Sequence, residues 1–161
     1  MARILSQLRQ SFFRNKLSLL KIFKVEISSP FVLNFLRSNF FIDSGDIYGW
    51  GWNDSGQIGS CLDDTNEENK VITKENIPKL IFTPSLLNTP LDVCFSDIFA
   101  GSRHSAAISD DGNVFTWGWN GYGQLGHGNQ EEKLTLTMVK SLESKDVKKI
   151  VCNAWSTLFI V

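Results

Sequence analysis

The chain reads as an all-β repeat protein, and three observations carry that reading. Residues 44–59, SGDIYGWGWNDSGQIG, recur as residues 111–126, DGNVFTWGWNGYGQLG, so Trp117 follows Trp50 by 67 residues. Self-similarity at a fixed spacing of this size marks a repeat architecture. Within each copy, Ile47–Trp52 and Val114–Trp119 are short β-branched and aromatic runs led in by Gly turns, a strand signal. The composition agrees: 12 Gly, 12 Phe and 5 Trp in 161 residues favour short strands joined by tight turns.

The N-terminal segment, residues 1–42, stands apart in charge. It carries seven basic residues and one acid, whereas the remaining 119 carry nine basic and sixteen acidic groups. Over residues 1–27, Ile4, Leu5, Leu8, Phe12, Leu19, Ile22 and Phe23 fall within an arc of about 100° on a 3.6-residue wheel, predicting a basic amphipathic α-helix. Phe13, Leu17 and Leu20 lie outside the arc, and Ser28, Ser29 and Pro30 end the pattern. The basic, acid-poor composition is that of a mitochondrial presequence, or of a helix that covers apolar surface. From residue 43 the repeats begin. A first unit spans 43–98 and contains an acidic insert, 61–79, with Asp63, Asp64, Glu67 and Glu68. Further strands are expected at Leu80–Phe82, Leu91–Phe95, Ile98–Ala100, Ser105–Ile108, Leu134–Val139, Val147–Val151 and Thr157–Val161. A second unit spans 99–150. The terminal VCNAWSTLFIV, 151–161, aligns with FAGSRHSAAIS, 99–109, at a spacing of 52 residues, and begins a third. The longer first spacing is then this unit plus part of the insert.

These motifs, AGSRHSAAISDDGNVFTWGWNGYGQLGHGN at 100–129 above all, resemble the repeats of the regulator of chromosome condensation family. The resemblance covers about residues 43–161 and implies a β-propeller, in which about seven four-stranded blades close into a ring. The expected architecture is therefore a partial β-propeller of about two four-stranded blades behind the basic helix. The front half of the first unit departs from the family pattern: its G-x-x-H step, Gly101–His104 in the second unit, would fall on Asn34, Phe35, Leu36 and Arg37. The expectation is a chain truncated upstream, joined to a different N-terminal sequence. In the third unit Asn153 replaces Gly101 and Ser156 replaces His104; Asn suits the position if it needs φ > 0. A blade cannot bury both sheet faces alone, so neighbours must stack on it.

Residues that recur are expected to build the blade, which assigns Trp50, Trp117, Gly123 and Gly126 to structure; Gly101 and His104 join them as the G-x-x-H step that the resemblance implies. Trp52 and Trp119, next to the turns, and the loop residues Arg103 and Tyr122 are the candidate partner-binding positions. Gly121–Gly126 fits G-x-G-x-x-G, but no crossover helix follows, and Asp54 replaces the first glycine in the other copy, so no nucleotide cofactor is expected. His104 has serines, Asp110 and Asp111 nearby, yet a triad is defined by geometry, and the third unit lacks the His; no catalytic residue is expected. Two His and three dispersed cysteines, Cys61, Cys94 and Cys152, give no metal-ligand spacing and no disulfide framework, which points to a reducing compartment. No run of 18 apolar residues predicts a membrane span, and the basic segment carries no nucleic-acid reading motif. The expected function is a non-enzymatic protein-interaction module. The resemblance implies histone-associated or small-GTPase partners and a cytoplasmic or nuclear setting, with mitochondria the alternative from the N-terminal segment. A vestigial product without independent function and a fragment of a guanine-nucleotide exchange factor stay open beside it.

Overall fold

A computed structural model describes residues 38–61 and 72–161. The expected helix over residues 1–27, the step at 34–37 and the acidic side chains at 63–68 lie outside them. Among the described residues, nine strands form three antiparallel sheets. The first contains β1 (Asn39–Asp43), β2 (Asp46–Trp52) and β3 (Leu80–Leu86) in the order β1-β2-β3. The second contains β4 (Phe95–Ala100), β5 (His104–Ser109), β6 (Val114–Gly118) and β7 (Lys133–Met138) in the order β4-β5-β6-β7. The third pairs β8 (Lys149–Cys152) with β9 (Thr157–Ile160). A 3-10 turn at Lys140–Leu142 links the second sheet to the third. The all-β partial propeller is thus the observed architecture, and the second sheet is a complete four-stranded blade.

Local chemistry explains the hairpins. β1 and β2 are joined by Ser44 and Gly45, with φ of 56° and 90°, and Asp43 pairs with Asp46 across them. Two left-handed residues in a two-residue loop match the twist of the flanking strands. β5 and β6 are joined through Ser109–Asn113, where the Asn113 N–H donates to the Ser109 hydroxyl and Gly112 takes φ 83°. β1 was not anticipated from the sequence and starts upstream of residue 43, because NFFID has no alternating pattern to reveal it. Leu91–Phe95 is not a strand: a turn occupies Leu91 and Asp92, with Asp92 at φ 59°, and the strand starts at Phe95. Phe95–Ile98 accordingly pair with β5 in the second sheet, inside the span assigned to the first unit.

Two apolar seams hold the sheets together. Phe40, Ile47 and Ile81 of the first sheet, with Ile58 of the loop after β2 and Leu87 just past β3, meet Phe95, Ile98, Phe115, Trp117 and Leu136 of the second. Trp117 is fully buried there, edge-on to Phe40 at 6.1 Å, and Phe115 meets Phe95 at 5.3 Å. On its other face the second sheet offers Ala106, Val114 and Val139 to Ile150 of the third. Successive β6 side chains point to opposite faces, so Phe115 and Trp117 enter one seam while Val114 enters the other. This is why β6 is buried along its whole length.

Candidate functional site

Four loops meet at one rim of the stacked sheets: 53–60 after β2, 101–103 before β5, 119–126 after β6, and 153–156 between β8 and β9. They are cross-linked through the backbone. The Trp119 N–H donates to the Arg103 carbonyl at 2.8 Å, and the Ser102 N–H donates to the Ala154 carbonyl at 3.4 Å. The Ser105 hydroxyl donates to the Gln57 carbonyl at 2.7 Å, tying the first sheet's loop to the second sheet.

The repeated motif builds this rim from the inside. Asn120 is fully buried; its Oδ1 accepts from the Leu125 N–H at 2.9 Å, and its Nδ2 donates to the carbonyls of Asn129 and Glu131. Asn53 does the same in the first unit, accepting from the Ile58 N–H and donating to the carbonyls of Gly59 and Pro78. The Oε1 of Gln124 accepts from the Tyr122 N–H, as that of Gln57 accepts from the Ser55 N–H. Gly123 and Gly126 hold φ of 74° and 78°, and Gly56 and Gly59 hold 68° and 93°. The motif residues therefore satisfy much of the loop's own backbone.

What the loop presents outward is aromatic. Gly118 ends β6 with φ 102° at an irregularity in the β6–β7 register, so the Trp117–Trp119 pair does not keep strict strand alternation. Trp117 stays in the seam, and Trp119, past the end of β6, is only half-buried at the rim. A Cβ on Gly121 would sit 2.3 Å from Trp119 Cζ2, so only glycine lets the indole lie there. Trp119 meets Tyr122 at 5.0 Å and Trp155 at 5.6 Å, and Tyr122 meets Trp155 at 6.3 Å, each pair near perpendicular. Tyr122 is 71% exposed and Trp155 49%. Trp155 was not singled out from the sequence; the signal was its place in the third unit, beside the His-equivalent Ser156, aligned with Arg103.

The candidate positions are thus brought together unequally. Trp119 and Tyr122 touch. Arg103, exposed, is held beside Trp119 by its backbone. Trp52 is 38% exposed at the same end of β2 and makes no ring contact among the described residues. The repeat explains the difference: Asp54 and Ser55 of the first unit and Arg103 of the second stand around Trp52's position in the repeat where Gly121, Tyr122 and Trp155 stand around Trp119. Trp50, the counterpart of Trp117, is half-buried and packs against the first seam.

His104 is fully buried at the seam between the second and third sheets, its Nε2 2.9 Å from the Thr157 hydroxyl. Burial pulls its pKa down to about 4, partly offset by the Ser156 backbone, so the imidazole is neutral at pH 7. The neighbouring Ser105 hydroxyl is spent on Gln57, and the Ser109 hydroxyl bonds Asp111 in the β5–β6 turn, so these groups do not assemble a nucleophile, base and acid. Gly101 does not have positive φ, contrary to the rationale considered for Asn153. It is glycine for space: a Cβ would lie 2.4 Å from His104 Cε1 and 2.6 Å from the Asn153 carbonyl oxygen. With Ser156 in place of the imidazole, the third unit removes that obstacle and accommodates Asn153. Among the described residues no group of three or more His, Cys, Asp or Glu could hold a metal ion, and no helix is long and apolar enough to cross a membrane. Burial raises the Cys152 thiol to about 12, which leaves it protonated and unreactive.

Comparison with known proteins follows the same pattern. The family model of the Regulator of chromosome condensation (RCC1) repeat matches residues 44–108 and 111–160, and a second model of that repeat matches 95–124. The human RCC1 domain-containing protein 1 is 29% identical over 143 residues, covering 71% of this chain and 37% of its own length. The human probable E3 ubiquitin-protein ligase HERC4 is 34% identical over 114 residues, covering 71% of this chain and 9% of its own. The crystal structure of Prp20p from Saccharomyces cerevisiae, described with its binding properties to Gsp1p and histones, superimposes with a TM-score of 0.59 at 18% identity. That match covers 80% of this chain and 32% of Prp20p. The chain therefore spans less than two fifths of the length of each of these relatives.

Proposed function

This chain belongs to the regulator of chromosome condensation repeat family, and from that premise we propose that it is a non-catalytic protein-interaction module that binds a partner through the rim carrying Trp52, Arg103, Trp119, Tyr122 and Trp155. The observation that carries the proposal is the aromatic triad, in which Tyr122 and Trp155 are exposed. Recurring residues of the motif turn inward to the backbone, whereas Tyr122 and Trp155, at positions that differ between units, turn outward; Ser55, the counterpart of Tyr122, is buried, and Arg103, the counterpart of Trp155, is exposed. Large aromatics and Arg on a rigid rim are the side chains that dominate binding energy at protein interfaces. They lose little conformational freedom on binding, because the loop beneath is already fixed by buried hydrogen bonds.

The finer form of the proposal is a histone-associated or small-GTPase partner. It is supported by family membership and, for histones, by the likeness to Prp20p. The test is site-directed photo-crosslinking. A photoreactive amino acid at position 122 should give adducts with a bound partner, offered as histones or as a small GTPase. The same group at the exposed Ser96 on β4 should not. Adducts at 96 and none at 122 would move the interface away from this rim.

A further inference from the structure

The chemistry of the rim narrows what it can receive. Trp119, Tyr122 and Trp155 stand at 85°, 76° and 81° to one another, forming a corner of ring faces and edges with centroids 5.0–6.3 Å apart. Among the described residues, the indole N–H groups of Trp119 and Trp155, the Tyr122 hydroxyl and the Arg103 guanidinium enter no hydrogen bond or ion pair. Each is a donor, and Arg103 alone has five N–H groups. Three side-chain acceptors of this loop and the segment after it are already engaged. The side-chain oxygens of Asn120 and Gln124 take backbone N–H groups, and the Glu131 carboxylate takes Asn129 and Lys133. The surface is therefore flat-faced, apolar and donor-rich.

A cationic side chain could stack on such rings, but it would approach beside Arg103, whose charge no carboxylate of the described residues neutralises. The complementary ligand is instead apolar, rich in carbonyl acceptors and poor in donors. We propose that the Trp119–Tyr122–Trp155 corner is a docking site for a proline-rich segment of a partner protein in the polyproline II conformation. This rests on the rim being the partner surface and names the chemistry of that partner. Proline has no backbone N–H, and the polyproline II helix makes no internal hydrogen bonds, so its carbonyls point outward to donors. One turn rises about 9 Å, enough to span a corner whose centroids lie 5.0–6.3 Å apart. Pyrrolidine rings pack on the faces of Tyr122 and Trp155 while carbonyls accept from the indole N–H groups and Arg103, as in aromatic-lined proline grooves generally.

The experiment is a titration of the full chain with three ten-residue peptides, all-proline, Lys/Arg-rich and Gly/Ser-rich, read by calorimetry and tryptophan fluorescence. The all-proline peptide should bind and shift the emission, and the other two should not. Tyr122→Ala and Trp155→Ala should each weaken binding about tenfold or more. Tyr122→Phe, which keeps the ring and loses the hydroxyl, should weaken it only a few-fold. Leu91→Ala should leave it unchanged, since Leu91 is exposed in the turn before β4, at the strand end opposite the rim. Circular dichroism of each variant separates loss of binding from loss of fold. No binding of the all-proline peptide, or binding that Tyr122→Ala and Trp155→Ala leave intact, overturns the inference. If the Lys/Arg-rich peptide binds instead and Tyr122→Ala abolishes it, the proline inference falls while the rim remains the partner surface. If no peptide responds and position 122 gives no crosslink, both fall.

Discussion

At the scale of single residues, Gly101 and His104 act as a pair. The imidazole occupies the space a Cβ at 101 would need, so Gly101→Ala should cost about 1–3 kcal/mol by overpacking a buried seam. In a His104→Ser background, which copies the third unit, the penalty should shrink without vanishing, because the Asn153 carbonyl oxygen is still 2.6 Å away. A double-mutant cycle by urea denaturation measures this, and equal penalties in both backgrounds would remove the pairing. His104 also couples stability to pH. Its folded pKa of about 4 lies below the usual 6.5, so the unfolded chain binds the extra proton first. Stability is full above about pH 6.5 and falls as pH drops toward 4, by on the order of 3 kcal/mol if this group acts alone. His127, also lowered by burial and by Lys133, acts in the same direction. Urea melts from pH 7 to 4 should show the decline, and His104→Gln should flatten most of it. The sequence revealed the His and its Gly by spacing. It did not reveal that the glycine serves space rather than positive φ, since a glycine letter reads the same for both.

At the scale of elements, the loop after β6 is a scaffold of buried hydrogen bonds under a display of aromatics. Asn120→Ala removes three hydrogen bonds and leaves the Leu125 N–H and two carbonyls without their partner. The expected cost is about 2–4 kcal/mol, read by chemical denaturation. Gly123→Ala tests backbone conformation alone. Its φ is 74° and the nearest atom to an added Cβ is 4.0 Å away, so the loss should be about 1–2 kcal/mol with no steric part. Gly121→Asp, which copies Asp54 of the first unit, should instead displace Trp119 from Tyr122 and Trp155 with little change in overall melting, visible as a change in near-ultraviolet circular dichroism. The duplicated letters made this loop legible: what recurred, Asn, Gly, Gln and Gly, is what folds it. The aromatic triad was only half legible. Trp119 and Tyr122 are three residues apart in one loop, but Trp155 arrives from a different sheet, and no local pattern announces that meeting.

At the scale of the whole molecule, the fold is a stack in which each sheet is stabilised by its neighbour. Trp117 is the largest side chain in the seam between the first two sheets, so Trp117→Ala should cost about 3–5 kcal/mol and lower the melting temperature sharply. Trp155→Ala, half exposed at the rim, should change stability by about 1 kcal/mol or less while reducing partner binding. A thermal melt paired with a binding assay distinguishes the two, and equal thermal effects would mean the rim triad is itself core. Trp50 and Trp117 occupy the same repeat position, yet one is half-buried and the other fully buried. Position in the stack decides this, because burial depends on which sheet lies opposite. The amino-acid sequence by itself determined the repeat, the period-two strands, the inward-turning motif and hence the blade, because those are local patterns of backbone geometry and hydrogen bonding. Only the tertiary structure decided which aromatic faces are covered and which loops share a rim. Those depend on contacts between residues about 30 to 50 positions apart in the chain, brought together by burial of the seams rather than by any adjacent letters.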